Sequence, residues 1–166
     1  MFDAIRKLFS RPPAPTHGGG LCIALLRDGW KCHRFAETDF VVVLPHDFLA
    51  AFDGEGVLIG AIDGSSHNFS ATLHRHEAFT NDPKSAYDFV DHLATKSGAR
   101  PIDKGTYRYF QDPTTRADDE LQYTFYIIGI PGAVVIVSIA SAPNQERPET
   151  LKRIEAAIPD LIGELA

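Results

Sequence analysis

Cysteine, methionine and tryptophan are scarce in this chain, and long apolar runs are missing. Its 166 residues include two cysteines, one methionine and one tryptophan. Two cysteines do not make a disulfide scaffold. No apolar stretch approaches the ~20 residues that span a bilayer, and the chain opens without a secretory signal pattern. We therefore expect a cytoplasmic protein with no transmembrane segment, which folds on its hydrophobic core without a cofactor, metal or disulfide.

Positive charge is also in the minority. Lysine and arginine number 16 against 22 aspartate and glutamate residues, which gives a net charge of −6. This balance argues against nucleic-acid binding, because nucleic-acid-binding proteins present a basic surface to phosphates. The hydrophobic share of 44% and the charged share of 23% are typical of an ordinary soluble domain.

The first 20 residues differ from the remainder of the chain. Apolar side chains at helical spacing predict a short amphipathic helix, and they are Phe2, Ile5, Leu8 and Phe9. Three prolines and three glycines between residues 11 and 20 then predict a linker. We therefore divide the chain into this helix and linker, residues 1–20, and a single α+β domain, residues 21–166.

The predicted N-terminal helix has three candidate docking places. Its apolar face can pack on the domain or on a second subunit, which would give a homodimer. Because Arg6, Lys7 and Arg11 accompany the apolar face, residues 2–9 can instead make a weak peripheral contact with a membrane. The sequence favours docking on protein, since one or two helical turns bind a membrane weakly.

Three segments in the first half of the domain have strand patterns. Residues 21–35 predict a hairpin around Asp28-Gly29, a dipeptide suited to a type I′ turn, although its first half also suits a short helix. Residues 40–44, which Pro45 ends, and residues 57–62 predict buried strands.

Residues 68–76 predict a strand with one buried face. Polar and apolar residues alternate along it, as they do in a half-buried strand. The inward residues are Phe69, Ala71 and Leu73, and the residues that face water are Asn68, Ser70, Thr72, His74 and His76.

Residues 83–97 predict the strongest helix in the chain. Asp82 can supply the N-cap, Pro83 occupies the first helical position, and Gly98 ends the helix. Its apolar stripe at helical spacing consists of Ala86, Phe89, Val90, Leu93 and Ala94.

Three more strands follow this helix, near residues 105–110, 120–130 and 133–140. Pro131-Gly132 predicts a tight turn between the last two. Residues 134–137 are apolar on both faces, which predicts a position in the middle of the sheet with cover above and below.

A C-terminal helix begins near Pro148, and Pro159 should kink or split it. The sum of these elements predicts an α+β domain with an antiparallel sheet of six or seven strands flanked by helices, an α/β/α sandwich. The apolar side of the terminal helix consists of Leu151, Ile154, Ile158, Leu161, Ile162 and Leu165.

Two histidines are candidate metal ligands. His74 and His76 share one face of a predicted strand, so both imidazoles could reach one Zn²⁺. A third ligand would have to come from His67, Glu77 or Asp63. Alternatively, both histidines belong to the solvent-exposed face of the strand, which is the more frequent role of such residues.

An acidic loop is predicted between the strands near residues 105–110 and 120–130. Its carboxylates are Asp112, Asp118, Asp119 and Glu120, and the flanking strands carry tyrosines that include Tyr107 and Tyr109. A solvated loop is the simpler interpretation. The functional interpretation is a contact surface for a cationic partner, because clustered like charge raises the association rate and tyrosine is enriched in contact patches.

The order of elements is similar to that of a known fold. A strand that ends in Val43-Leu44-Pro45-His46-Asp47-Phe48 is followed by a hairpin, a central helix, a three-strand meander and a C-terminal helix. Over residues 39–166 this order resembles the PsbP-like/DcrB-like α/β/α sandwich family. The resemblance implies a non-enzymatic binding module, as in photosystem assembly proteins, nuclear-transport factors, lipoproteins and secretion adaptors. It transfers no site residue, because no site motif matches.

We therefore expect a non-catalytic protein-binding module that acts on a basic partner, such as a bacterial adaptor, chaperone or immunity-type protein. The acidic charge balance and the acidic loop favour it, and no G-x-S-x-G elbow, P-loop or dinucleotide motif occurs in the sequence. The alternative is a small metal-dependent hydrolase that uses His74 and His76 as ligands with a nearby carboxylate as base.

Overall fold

The computed structural model describes residues 29–53, 55–61, 68–112, 116–117, 121–142 and 145–164. Within those ranges the elements confirm the predicted α+β class. The strands are β1 (Trp30–Arg34), β2 (Phe40–Pro45), β3 (Leu49–Phe52), β4 (Leu58–Ala61), β5 (Asn68–His74), β6 (Ile102–Asp103), β7 (Arg108–Gln111), β8 (Arg116–Ala117), β9 (Gln122–Ile130), β10 (Ala133–Ser141) and β11 (Ile162–Glu164). The helices are α1 (Glu77–Asn81), α2 (Pro83–Lys96), α3 (Glu149–Ala157) and a 3₁₀ turn (Ile158–Leu161). The predicted N-terminal helix and linker, and the upstream half of the hairpin at residues 21–35, lie outside the described residues.

Eight of the described strands form one antiparallel sheet, which confirms the predicted antiparallel arrangement with one strand more than the six or seven expected. Their order is β3-β4-β5-β10-β9-β7-β6, and β8 also pairs with β9. β10 lies in the middle between β5 and β9, where the apolar character of both faces of residues 134–137 places it. The predicted Pro131-Gly132 turn joins β9 to β10, and Gly132 adopts a φ of 83° that glycine tolerates.

A second sheet of three strands, β1-β2-β11, is not predicted from the sequence. β2 is buried along its whole length, as expected, and pairs with β1. Local polar contacts hold this hairpin together. The Thr38 hydroxyl donates to the Phe35 carbonyl and accepts from the Phe40 N–H, and Arg34 pairs with Asp39 at 2.7 Å.

The C-terminal helix is split, as Pro159 predicts. α3 ends at Ala157, and the chain then passes through the 3₁₀ turn into β11. The helical assignment of Ile162 is wrong, because this residue lies in β11 opposite Val42. Proline has no N–H and its ring clashes with the preceding turn, so an α-helix does not continue through it undisturbed. The predicted helical position of Leu165 lies outside the described residues.

The two faces of the large sheet are covered by different elements. One face packs on the small sheet and α3 in a core that includes Phe69, Ile128 and Leu151. The other face packs on α2 in a smaller core. The buried residues of that smaller core are Ala86, Val90, Ala94, Phe110, Ile127 and Val134. The layers are therefore α2, the large sheet, and the small sheet together with α3.

α2 begins and ends where the sequence predicts. The Asp82 side chain accepts from the Lys84 N–H at 3.0 Å, and Gly98 follows the helix with a φ of 70°. The prediction that Phe89 belongs to the buried stripe is wrong, because its side chain is 40% exposed. Its ring packs beside Phe79 of α1, at a centroid distance of 5.6 Å, rather than beneath α2.

Replacing Gly129 of β9 with alanine is expected to destabilise the fold by about 1–3 kcal/mol, the usual cost of overpacking. A Cβ at residue 129 would lie 2.9 Å from both the Ala86 carbonyl oxygen and the Val90 Cγ2 atom. Urea denaturation measures the change, and Gln122→Ala at the exposed start of β9 serves as control. Equal stability of the two variants would show that α2 does not pack closely against β9 at Gly129.

Candidate protein-binding surface

The elements that the structure describes cover the α2 face of the large sheet only in part. α2 contacts β9, β7 and β10. Strand pairing shows which residues share this face on the other side of the sheet. One row across the sheet is Ala51, Ile59, Ser70 and Ser138, and the next row is Leu49, Ala61, Asn68 and Ala140.

The β3 and β4 members of these rows form an exposed apolar surface, which we call the β3–β4 patch. Leu49 is 66% exposed and Ile59 is 45% exposed, and Ala51 and Ala61 are exposed beside them. Residues directly opposite on antiparallel strands have Cβ atoms about 4.5–5.5 Å apart, so the four side chains are contiguous. Contiguous exposed apolar groups of this kind mark interaction sites.

A contact on the opposite face explains why the patch points outward. A Cβ at Gly60 would lie 2.1 Å from Cε1 of Phe48, so the Phe48 ring fills the space of the missing side chain. Leu58 is buried on that same side. Because successive side chains of a strand alternate between faces, Ile59 and Ala61 must then point away from the core.

The turn between β3 and β4 holds the register of the patch. The Asp53 Oδ1 atom accepts from the Glu55 N–H at 2.8 Å and from the Val57 N–H at 2.9 Å. Aspartate commonly closes turns in this way. If the pairing of β3 with β4 shifted by one residue, the apolar side chains of the patch would move to the other face of the sheet. The hydrogen bonds of this turn oppose such a shift.

The prediction of a fully buried strand at residues 57–62 is therefore wrong for half of its side chains, and β3 is not predicted at all. β4 is second from the edge of the sheet, and no element within the described ranges covers its α2 face at Ile59 or Ala61. A strand covered on one face alternates in burial, whereas a strand covered on both faces is buried throughout.

Among the described strands, β3 lies at one edge of the large sheet. The Asp53 N–H donates to the Val57 carbonyl at 2.9 Å, and bonded pairs alternate along an antiparallel ladder. This alternation directs the backbone N–H and C=O groups of Ala50 and Phe52 away from β4, toward the free edge. Such an edge is a template for an added strand.

The patch borders a more polar part of the same face. The Ser70 and Ser138 hydroxyls are 2.7 Å apart and form a hydrogen bond between β5 and β10. Beyond them on β9, the rings of Tyr123 and Phe125 stack at 6.3 Å and are half-buried. An apolar contact area with a hydrogen-bonding rim is the usual anatomy of a protein interface.

The two predicted metal-ligand histidines have separate roles. His74 ends β5 and is half-buried, and burial lowers its pKa. His76 lies beyond the strand, where its Nδ1 atom accepts from the Ala78 N–H at 3.1 Å and caps α1. Among the described residues, no group of three His, Cys, Asp or Glu side chains could hold a metal ion. Two of the suggested third ligands, His67 and Asp63, lie outside that part of the chain.

Of the predicted partner-binding residues, Tyr107, Tyr109 and Asp112 lie within the described structure. Tyr107 is buried and its hydroxyl donates to Asp160 of the 3₁₀ turn, while Tyr109 is half-buried with its ring 6.0 Å away. Both tyrosines pack in or against the main core, on the face opposite the patch. Asp112 follows β7 and its N–H donates to the Phe125 carbonyl at 2.9 Å. Asp118, Asp119 and Glu120 lie outside the described residues.

Comparison with known proteins finds neither a matching family model nor a matching curated protein. A crystal structure at 1.50 Å from Bacteroides thetaiotaomicron VPI-5482 is similar, with a TM-score of 0.51, 17% identity and 76% of this chain covered. The match spans 45% of that chain's length. The solution structure of cyanobacterial PsbP (CyanoP) from Synechocystis sp. PCC 6803 is also similar, with a TM-score of 0.39 and 13% identity. That match covers 88% of this chain and 96% of the PsbP chain. A cyanobacterial PsbP is thus among the similar solved structures, and at these identities neither likeness carries more than the fold.

None of the helices in the described ranges is long and apolar enough to cross a membrane.

Replacing Tyr107 with phenylalanine is expected to lower the free energy of unfolding at neutral pH by about 1–2 kcal/mol. The variant should also lose less stability than the wild type when the pH is raised. Burial, then the hydrogen bond and charge of Asp160, raise the pKa of Tyr107. The unfolded chain therefore loses this proton first, so the stabilisation is complete below pH ~10 and declines as the pH rises toward the folded pKa. Urea unfolding at neutral and alkaline pH measures the free energy of unfolding of each variant, with Tyr109→Phe as the control. Equal alkaline losses in wild type and Tyr107→Phe would contradict it.

Proposed function

We propose that the protein is a non-catalytic protein-binding module and that the β3–β4 patch is its contact surface. The observation that carries the proposal is the exposure of Leu49 and Ile59 side by side at the edge of the large sheet. Hydration of two neighbouring aliphatic side chains is unfavourable, and a partner that covers them gains the corresponding free energy.

The free edge of β3 adds a second mode of contact. A partner segment in extended conformation can hydrogen-bond to the outward backbone groups of Ala50 and Phe52 while its side chains rest on Leu49 and Ala51. Main-chain bonds supply affinity in such complexes, and side-chain pockets supply specificity.

A basic partner matches the charge of the protein. The turn beside β3 exposes Asp53 and Glu55, and the whole chain has a net charge of −6. The predicted acidic loop at Asp112, Asp118, Asp119 and Glu120 adds carboxylates to this proposal. Complementary charge raises the association rate and suppresses wrong partners. Tyr107 and Tyr109 have no part in the proposal, because they support the core.

Binding of this kind suits an adaptor, a chaperone or an immunity-type protein of a bacterial cytoplasm. Each of these acts by covering a surface of another protein, and none requires a nucleophile or a metal centre. The carboxylates of the protein attract the partner over the distance of the Debye length, about 8–10 Å at physiological salt, and the patch then holds it.

Aspartate at Ile59 is expected to weaken partner capture by roughly 30-fold, since a central interface residue contributes about 2 kcal/mol or more. Ile102→Asp is the matched control, because Ile102 is also a strand isoleucine with 45% exposure but lies at the opposite edge of the sheet. The full chain with a photo-crosslinker at Ala51 identifies the partner, and the affinity of that partner is then measured for each variant.

Equal affinity of the Ile59→Asp and Ile102→Asp variants would remove the patch from the proposal. The electrostatic part is tested separately by raising the salt concentration and by neutralising Glu55 and Asp112 as Gln and Asn. A partner indifferent to both treatments would show that charge plays no part in its recognition.

A further inference from the structure

The described chain begins at Gly29, next to the short segment that leads into β3. The carbonyl of Gly29 accepts from the His46 N–H at 2.9 Å. His46 precedes Leu49, the first residue of β3, by only three positions. The segment that precedes Gly29 therefore joins the domain through the small sheet, within roughly 15 Å of Leu49, because three residues span at most ~3.6 Å each.

The segment that precedes the domain is complementary to the patch, because it combines apolar side chains with positive charge. Its apolar residues repeat at helical spacing, and they are Phe2, Ile5, Leu8 and Phe9. Residues 1–20 hold three cations and one carboxylate, so the remainder of the chain holds 13 cations and 21 carboxylates, a net charge of −8. The segment thus combines apolar groups with basic neighbours, and the patch combines apolar groups with acidic neighbours, which include Asp53 and Glu55.

We propose that residues 2–9 dock in cis on the β3–β4 patch, with their apolar side chains against Leu49 and Ile59. The chain between residues 9 and 29 can span up to ~3.3–3.6 Å per residue, so the patch is well within reach. Covalent attachment raises the effective concentration to about the millimolar range, so even weak contacts occupy the patch for much of the time.

Occupation of the patch in cis makes the N-terminal segment a competitor of any partner. A partner then has to displace residues 2–9, and its apparent affinity falls by the fraction of molecules in which the patch is open. The inference concerns the same patch as the proposed function, but its test needs no partner. The failure of one is therefore distinguishable from the failure of the other.

Nuclear magnetic resonance of the full chain tests this docking. We expect nuclear Overhauser contacts between the ring protons of Phe2 or Phe9 and the methyl groups of Leu49 or Ile59. The double variant Ile5→Asp and Leu8→Asp should abolish these contacts and shift both patch methyl resonances. The methyl resonances of Ile102, at the other edge of the sheet, should not move.

The control variant adds the same two charges within the linker, as Ala14→Asp and Thr16→Asp, and should retain the contacts. Patch methyl resonances that are the same in wild type and in the Ile5→Asp, Leu8→Asp variant would overturn the proposal. Contacts that appear only between labelled and unlabelled chains in a mixed sample would also overturn it, because they would assign the patch to a second copy.

Discussion

The ring of Phe48 occupies the space that a side chain at residue 60 would need, and the outer half of the large sheet depends on this contact. The same ring meets Phe69 of β5 edge to face at 6.0 Å. Phe48 therefore packs against both β4 and β5 on the side of the sheet that faces the main core. Because strand side chains alternate, this packing leaves Ile59 and Ala61 on the opposite side.

A second close contact determines how far the α2 face is covered. Gly129 has no side chain, so the backbone of α2 at Ala86 approaches β9 closely, and Val90 packs on the same spot. The helix is thereby centred on β9, and its other main contacts with the sheet are to β7 and β10. The sheet extends further, through β5 and β4 to β3. Among the described elements, the exposed patch is thus the consequence of a wide sheet on which α2 lies to one side.

Local signals predicted much of the fold. The Asp82 cap and Gly98 define α2, and Pro159 splits the terminal helix, since each acts on neighbours within one or two turns. The small sheet could not be found in this way. Its β11 residue Ile162 pairs with Val42, about 120 residues earlier in the chain, and no periodicity in either segment identifies the other.

The candidate site shows the same division. The sequence by itself determined that β5 has one apolar face, that β4 is a strand, and that the chain is acidic, because side-chain type and spacing decide these properties. Only the tertiary structure decided that Leu49 and Ile59 meet solvent while Tyr107 is buried against Asp160. Exposure depends on whether another layer packs over a residue, and that layer comes from distant parts of the chain.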